Sequence, residues 1–71
     1  MEKLDLHGKT YYESKILVTD FIENNLDKLP IKIVTGNSAE MHLIVNKIIK
    51  KYKLKSSPNT YYNLGCLIIN K

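Results

Sequence analysis

The stretch IKIVTGNSAEMHLIVNKIIKKY, residues 31–52, decides how this chain folds. Ile31 to Thr35 is a short run rich in β-branched apolar residues, which reads as a strand. Thr35-Gly36-Asn37-Ser38 then interrupts it as a turn. Ser38 is placed to cap a helix, and Glu40 falls near the positive end of that helix's dipole. Met41, Ile44, Val45, Ile48, Ile49 and Tyr52 recur at steps of three and four residues, the signature of one apolar helix face.

Working outward toward the amino terminus, Lys3, Leu4, Asp5, Leu6 and His7 alternate with the period of a strand that has one apolar face, and Gly8 ends the run. Thr10-Tyr11-Tyr12-Glu13 fits a capping box and opens a helix. Its expected inward positions are Leu17, Val18, Phe21, Ile22 and Leu26, with Pro30 closing the connection to the next strand. Toward the carboxyl terminus, Ser56, Ser57, Pro58 and Asn59 break the helical pattern. Thr60 to Tyr62 and Cys66 to Asn70 read as two strands joined through Asn63-Leu64-Gly65. The order is β-α-β-α-β-β. A strand, a helix and a second strand imply parallel pairing by a right-handed crossover, whereas a closing hairpin is antiparallel, so the sheet is mixed. The expected class is α/β in the broad sense, an α+β two-layer sandwich with two helices on one face of a four-stranded sheet.

The chain of 71 residues is one domain, and its 44% hydrophobic and 25% charged residues are those of a soluble globular protein. No apolar run approaches the roughly 18 residues a membrane span needs, and charges stand where a signal peptide would be apolar, so a cytoplasmic location without membrane association is expected. Cys66 has no second cysteine to pair with and reads as a small buried apolar residue of the last strand. Eleven lysines, no arginine and seven acids give a net charge of +4, which favours phosphate-bearing partners. Phosphate contacts would then come from lysines, histidine, hydroxyls or backbone amides, without arginine's bidentate fork.

Ligands of such sheets bind beyond the carboxyl ends of parallel strands, where loops lead into helix starts. Asp5-Leu6-His7-Gly8 and Thr35-Gly36-Asn37-Ser38 both occupy that place. Strand alternation sends Leu4 and Leu6 toward the helices and Asp5 and His7 to the uncovered face. An acid and an imidazole there, next to helix amides that attract an anion, fit a phosphate-handling site. The residues equally allow a structural role, in which Asp5 orients His7 or accepts turn amides.

"LDLHG" (residues 4–8) and "TGNS" (residues 35–38), in this order and topology, resemble the small MutS-related (Smr) domain over essentially the whole chain, residues 1–71, with Gly65 and "CLIIN" (residues 66–70) similar to the family's closing glycine and strand. Ser38 stands where the common TGxG form has its second glycine, while Thr35 to Met41 match a TGxSxxM version. The resemblance implies a fold similar to the C-terminal domain of bacterial translation initiation factor three, and a nucleic-acid-associated function that in several members is endonucleolytic cleavage of DNA or RNA. By resemblance, activity or substrate contact falls on Asp5, His7, Thr35 and Gly36.

The functional expectation is a domain that binds DNA or RNA, working as a monomer, with phosphodiester cleavage as an open addition. In the cleaving form, His7 is the general acid or base and Asp5 orients it or helps to hold a divalent ion, while Gly8 and the Thr35–Ser38 turn hold phosphate. Two ligands do not make a metal site, so no metal-binding residues and no cofactor are expected beyond loosely held Mg²⁺ or Mn²⁺ in a catalytic form. His42, at the margin of the helical stripe, is in reach of the TGNS turn and of a substrate. Lys50 and Lys51 belong to a lysine-rich helix end that serves solubility or a nucleic-acid track. One of Tyr61 and Tyr62 is expected in the core and the other free to stack on a base. The alternatives are a non-catalytic nucleic-acid-binding module and a protein-docking domain that uses the open sheet.

Overall fold

A computed structural model describes residues 1–58 and 65–71. The elements are β1 (Lys3–Asp5), α1 (Tyr11–Asn24), β2 (Ile31–Val34), α2 (Ala39–Lys51), β3 (Lys55–Pro58) and β4 (Cys66–Asn70), in the expected β-α-β-α-β-β order. They build an α+β fold with a four-stranded mixed sheet ordered β1-β2-β4-β3. β1 and β2 are parallel, while β4 runs antiparallel to both β2 and β3. Among the described residues, no helix is long and apolar enough to cross a membrane.

Each helix starts where its sequence says it should. Thr10 Oγ1 accepts the Glu13 amide at 3.1 Å and Glu13 Oε1 accepts the Thr10 amide at 3.0 Å, a complete capping box. Those bonds hold the Glu13 carboxyl below the usual carboxylate range, the Thr10 amide contributing most. In α2, Ser38 Oγ accepts the Met41 amide at 3.2 Å. The α2 end closes as a Schellman motif: the Leu54 amide reaches the Ile49 carbonyl and the Lys53 amide the Lys50 carbonyl, both at 3.0 Å. Lys53 takes the left-handed φ of 60° that glycine more often occupies there.

Register explains the core. Ile31 opposes Ile69 and Ile33 opposes Leu67, so these four side chains share the face that meets the helices. They pack with Leu6, Val18, Ile22, Met41, Val45 and Ile49. Lys32 opposes Ile68 and Val34 opposes Cys66 on the other face. Cys66 is buried as expected, but it lies apart from the core cluster beneath the helices. Across the helices, the Tyr52 hydroxyl donates to Glu23 at 2.8 Å, and the carboxylate holding that proton pushes the phenol above its ordinary value.

Three expectations need correction. β1 ends at Asp5 rather than His7, although the Leu6 amide still donates to the Val34 carbonyl at 2.9 Å. Leu26 is 43% exposed, because α1 stops at Asn24 and the helical period does not carry beyond its Asn25 cap. Ser56 to Pro58, read as a break, belong to β3. β3 is an edge strand, which tolerates a proline without an amide donor, and Ser56 Oγ finds Asn46 Oδ1 at 2.7 Å. The strand expected at Thr60 to Tyr62, the placements of Tyr61 and Tyr62, and the Asn63-Leu64 part of the connection lie outside the described residues.

Candidate nucleic-acid interface at the helix starts

Parallel pairing sets Asp5 beside Val34, so the chain leaves β1 and β2 at adjacent positions, about 5 Å apart. Each exit leads through a glycine turn into a capped helix, which brings both turns and both helix starts to one end of the sheet.

The first turn is closed by the Lys9 amide on the Leu6 carbonyl at 3.1 Å, with Gly8 at φ +75°. That is the conformation a type II turn requires at its third residue. Asp5 Oδ1 accepts the His7 backbone amide at 2.8 Å. The carboxylate therefore shapes the turn, the amide-accepting role, and this bond does not involve the imidazole. Asp5, His7 and Gly8 are all exposed, with His7 in the turn rather than on the pleat of β1.

The second turn is tied into the molecule. Thr35 is 5% exposed. The Gly65 carbonyl accepts the Thr35 amide at 2.7 Å and the Gly36 amide at 3.0 Å, and lies 3.2 Å from the Thr35 hydroxyl. A Cβ on Gly65 would stand 3.1 Å from the Gly36 carbonyl carbon, so these two glycines meet backbone to backbone. His42 Nε2 lies 2.8 Å from Thr35 Oγ1 and 3.2 Å from the Gly36 carbonyl oxygen. The His42 ring, the Thr35 hydroxyl and the Gly36 carbonyl thus form one polar cluster that ties α2 to the turn.

These bonds sort the expected contact residues. Thr35 and the Gly36 amide are engaged inside the fold, and His42 reaches the TGNS turn as expected but grips it through the ring. Asn37 is exposed, and a groove of about 610 Å³ opens beside it, lined by Asn37, Ala39, His42 and Leu43. Helix-start amides have no preceding turn to receive them. Met41 gives its amide to Ser38, while those of Ala39 and Glu40 have no partner among the described residues. Lys50 and Lys51 sit in the last turn of α2, away from this end, about 17 Å from Ala39 along the axis.

Two cations missed in the sequence lie on the face no helix covers. Lys3 directly neighbours Lys32 across the β1–β2 pair. Like charges in that position repel and cost some stability, and an anion laid over them relieves it. The alternation at Lys3 and Lys32 signals their face, but only the register reveals that they are neighbours. Among the described residues, no three His, Cys, Asp or Glu side chains gather in one place. No family model, curated protein or solved structure matches this chain.

Proposed function

We propose that the chain is a nucleic-acid-binding module of the Smr kind, one that holds a sugar–phosphate backbone and leaves it uncut. The observation that carries this reading is the Lys3–Lys32 pair on the uncovered sheet face, two residues back along the strands from Asp5 and Val34, where the chain leaves for both turns and both helix starts. Lysine point charges give sequence-tolerant, salt-sensitive attraction to phosphate. At that end of the sheet the exposed His7, Gly8 and Asn37, with the Ala39 and Glu40 amides that have no partner among the described residues, add donors suited to phosphate oxygens. Thr35, Gly36 and Ser38 act by holding the second turn in shape, and Lys50 and Lys51 act only through the long-range field.

The exposed imidazole of His7 favours a second reading, phosphodiester cleavage with His7 as general acid or base. Against it, Asp5 accepts a turn amide at one oxygen, and among the described residues no hydrogen bond joins it to the His7 ring.

Fluorescence anisotropy with labelled single-stranded RNA and DNA tests the proposal. Affinity should fall at least about tenfold in Lys3→Glu/Lys32→Glu, and the slope of log K against log salt should shrink by about two. Lys50→Glu/Lys51→Glu should change neither by more than about twofold. Binding that ignores the Lys3 and Lys32 changes, or no binding at low salt, overturns the reading. Strand scission lost in His7→Ala establishes the enzyme in its place.

A further inference from the structure

Because β1 and β2 are parallel, the crossover helices run in the same direction side by side. Between them lies a groove of about 530 Å³, and Ile44 and Ile48 of α2 contribute its apolar lining together with Thr19 of α1. Leu43 also lines it and is 69% exposed, while Ile16, next to the lining residue Lys15, is 53% exposed. Single exposed apolar side chains are ordinary. Here Leu43 shares one concave surface with Ile44 and Ile48, which is less so.

The charge along this groove has one sign. Lys15 stands on the α1 wall and Lys47 and Lys51 on the α2 wall, and no aspartate or glutamate is among the lining residues. We infer that the groove docks an acidic amphipathic helix of a partner protein, its apolar stripe on Leu43, Ile44 and Ile48 and its carboxylates against the three lysines. From Leu43 to Lys51 the groove runs about 12 Å, room for about two helical turns. A second copy of the chain fits poorly: its net charge is +4, and pairing groove to groove would set both lysine triplets together. Nucleic acid would also be drawn to the lysines, but the apolar side chains of Leu43, Ile44 and Ile48 between them offer a sugar–phosphate backbone no hydrogen-bond donor and suit an apolar helix stripe instead. The groove shares Leu43 with the one beside Asn37 but contains neither Lys3 nor Lys32, so the inference stands whether or not the Lys3–Lys32 face binds nucleic acid.

The test is a titration of the whole chain into a fluorescein-labelled peptide of about sixteen residues, with leucines three and four apart on one face and glutamates on the other. Saturable binding is expected, with a Kd in the micromolar range of about 1–100 µM. It should weaken at least tenfold, about 1.4 kcal/mol, in Leu43→Asp and separately in Lys47→Glu/Lys51→Glu. Lys3→Glu/Lys32→Glu should bind within about twofold of wild type. The same peptide with lysines in place of the glutamates should not bind. All these substitutions fall on solvent-exposed or half-buried positions, and circular dichroism checks that each variant is folded. The inference is overturned if the acidic peptide fails to saturate, or if the Leu43 and Lys47/Lys51 variants bind like wild type. Displacement of the peptide by single-stranded RNA or by phosphatidylserine vesicles, with the same groove variants defective in binding the competitor, reassigns the groove and also overturns it.

Discussion

The turns after β1 and β2 are built from similar parts and used in opposite ways. Both place a glycine at positive φ, +75° at Gly8 and +70° at Gly36, and both deliver the chain to a hydroxyl N-cap. The first closes on itself: Asp5 and Leu6 accept amides from residues two and three places on, and apart from the buried Leu6 its side chains face solvent. The second is bonded to distant parts of the chain, to the Gly65 carbonyl before β4 and to the His42 ring on α2. A glycine turn before a helix reads as a ligand loop in either place. Only the long-range bonds distinguish a turn available to a partner from one that serves as a structural joint.

The sharpest way to break this contrast is Gly65→Ala. The new methyl would meet three Gly36 backbone atoms at 3.1 to 3.2 Å, and backbone yields less readily than a side chain, so a loss of about 1–3 kcal/mol is expected in urea unfolding. That is a large share of the roughly 4–10 kcal/mol such a chain has in total. An unchanged midpoint would mean that the second turn is not braced by β4.

Gly8→Ala and Gly36→Ala come next and form a matched pair. Neither Cβ would meet any atom within 4 Å, so each change should cost the strain of a left-handed residue alone, about 1–2 kcal/mol. Their relaxation differs. Gly8→Ala can ease by shifting the exposed tip of its turn, which only local bonds hold beyond Leu6, whereas Gly36→Ala must pull against Gly65 and His42. Gly36→Ala should therefore be the more damaging, and should also broaden or shift the His42 ring resonances in NMR spectra. Equal losses with undisturbed His42 signals would contradict the joint.

How far these distinctions can be read without coordinates depends on the range of the interaction. The Thr10–Glu13 box, the Ser38 cap and the α2 stripe are local, and the sequence places all three correctly. β3 was hidden because Ser56, Ser57 and Pro58 are poor strand formers, tolerated only by an edge position that no local pattern reveals. Leu26 misled because a helical period says nothing about where Asn25 ends the helix. In the candidate site, the exposed His7 and the reach of His42 were legible. The choice of Asp5 between ring and amide was not, because strand alternation fixes the face and not the hydrogen-bond partner. The Lys3–Lys32 contact needed the register of two strands far apart in sequence.

The two helix starts carry the contrast into pH dependence, the smallest effect and the most specific. The α1 cap relies on a titratable group, with Glu13 accepting the Thr10 amide; the α2 cap relies on the Ser38 hydroxyl, which does not titrate. Glu13 is held below its ordinary value of 4.5, first by the Thr10 amide and then by the Thr10 hydroxyl. A carboxyl whose pKa is lower folded than unfolded supplies stability that is complete above the unfolded value and disappears as pH falls through the folded one. Glu13→Gln keeps an acceptor but removes the charge. The melting-temperature gap between wild type and Glu13→Gln should thus be widest near neutral pH and close as the solution is acidified below about 4.5. Taking the difference cancels the other carboxylates, which titrate in both proteins. Ser38→Ala should instead lose about 1 kcal/mol at every pH. A Glu13→Gln gap that stays constant from neutral to acid would show that the box acts through its geometry alone, making the two helix starts electrostatically alike.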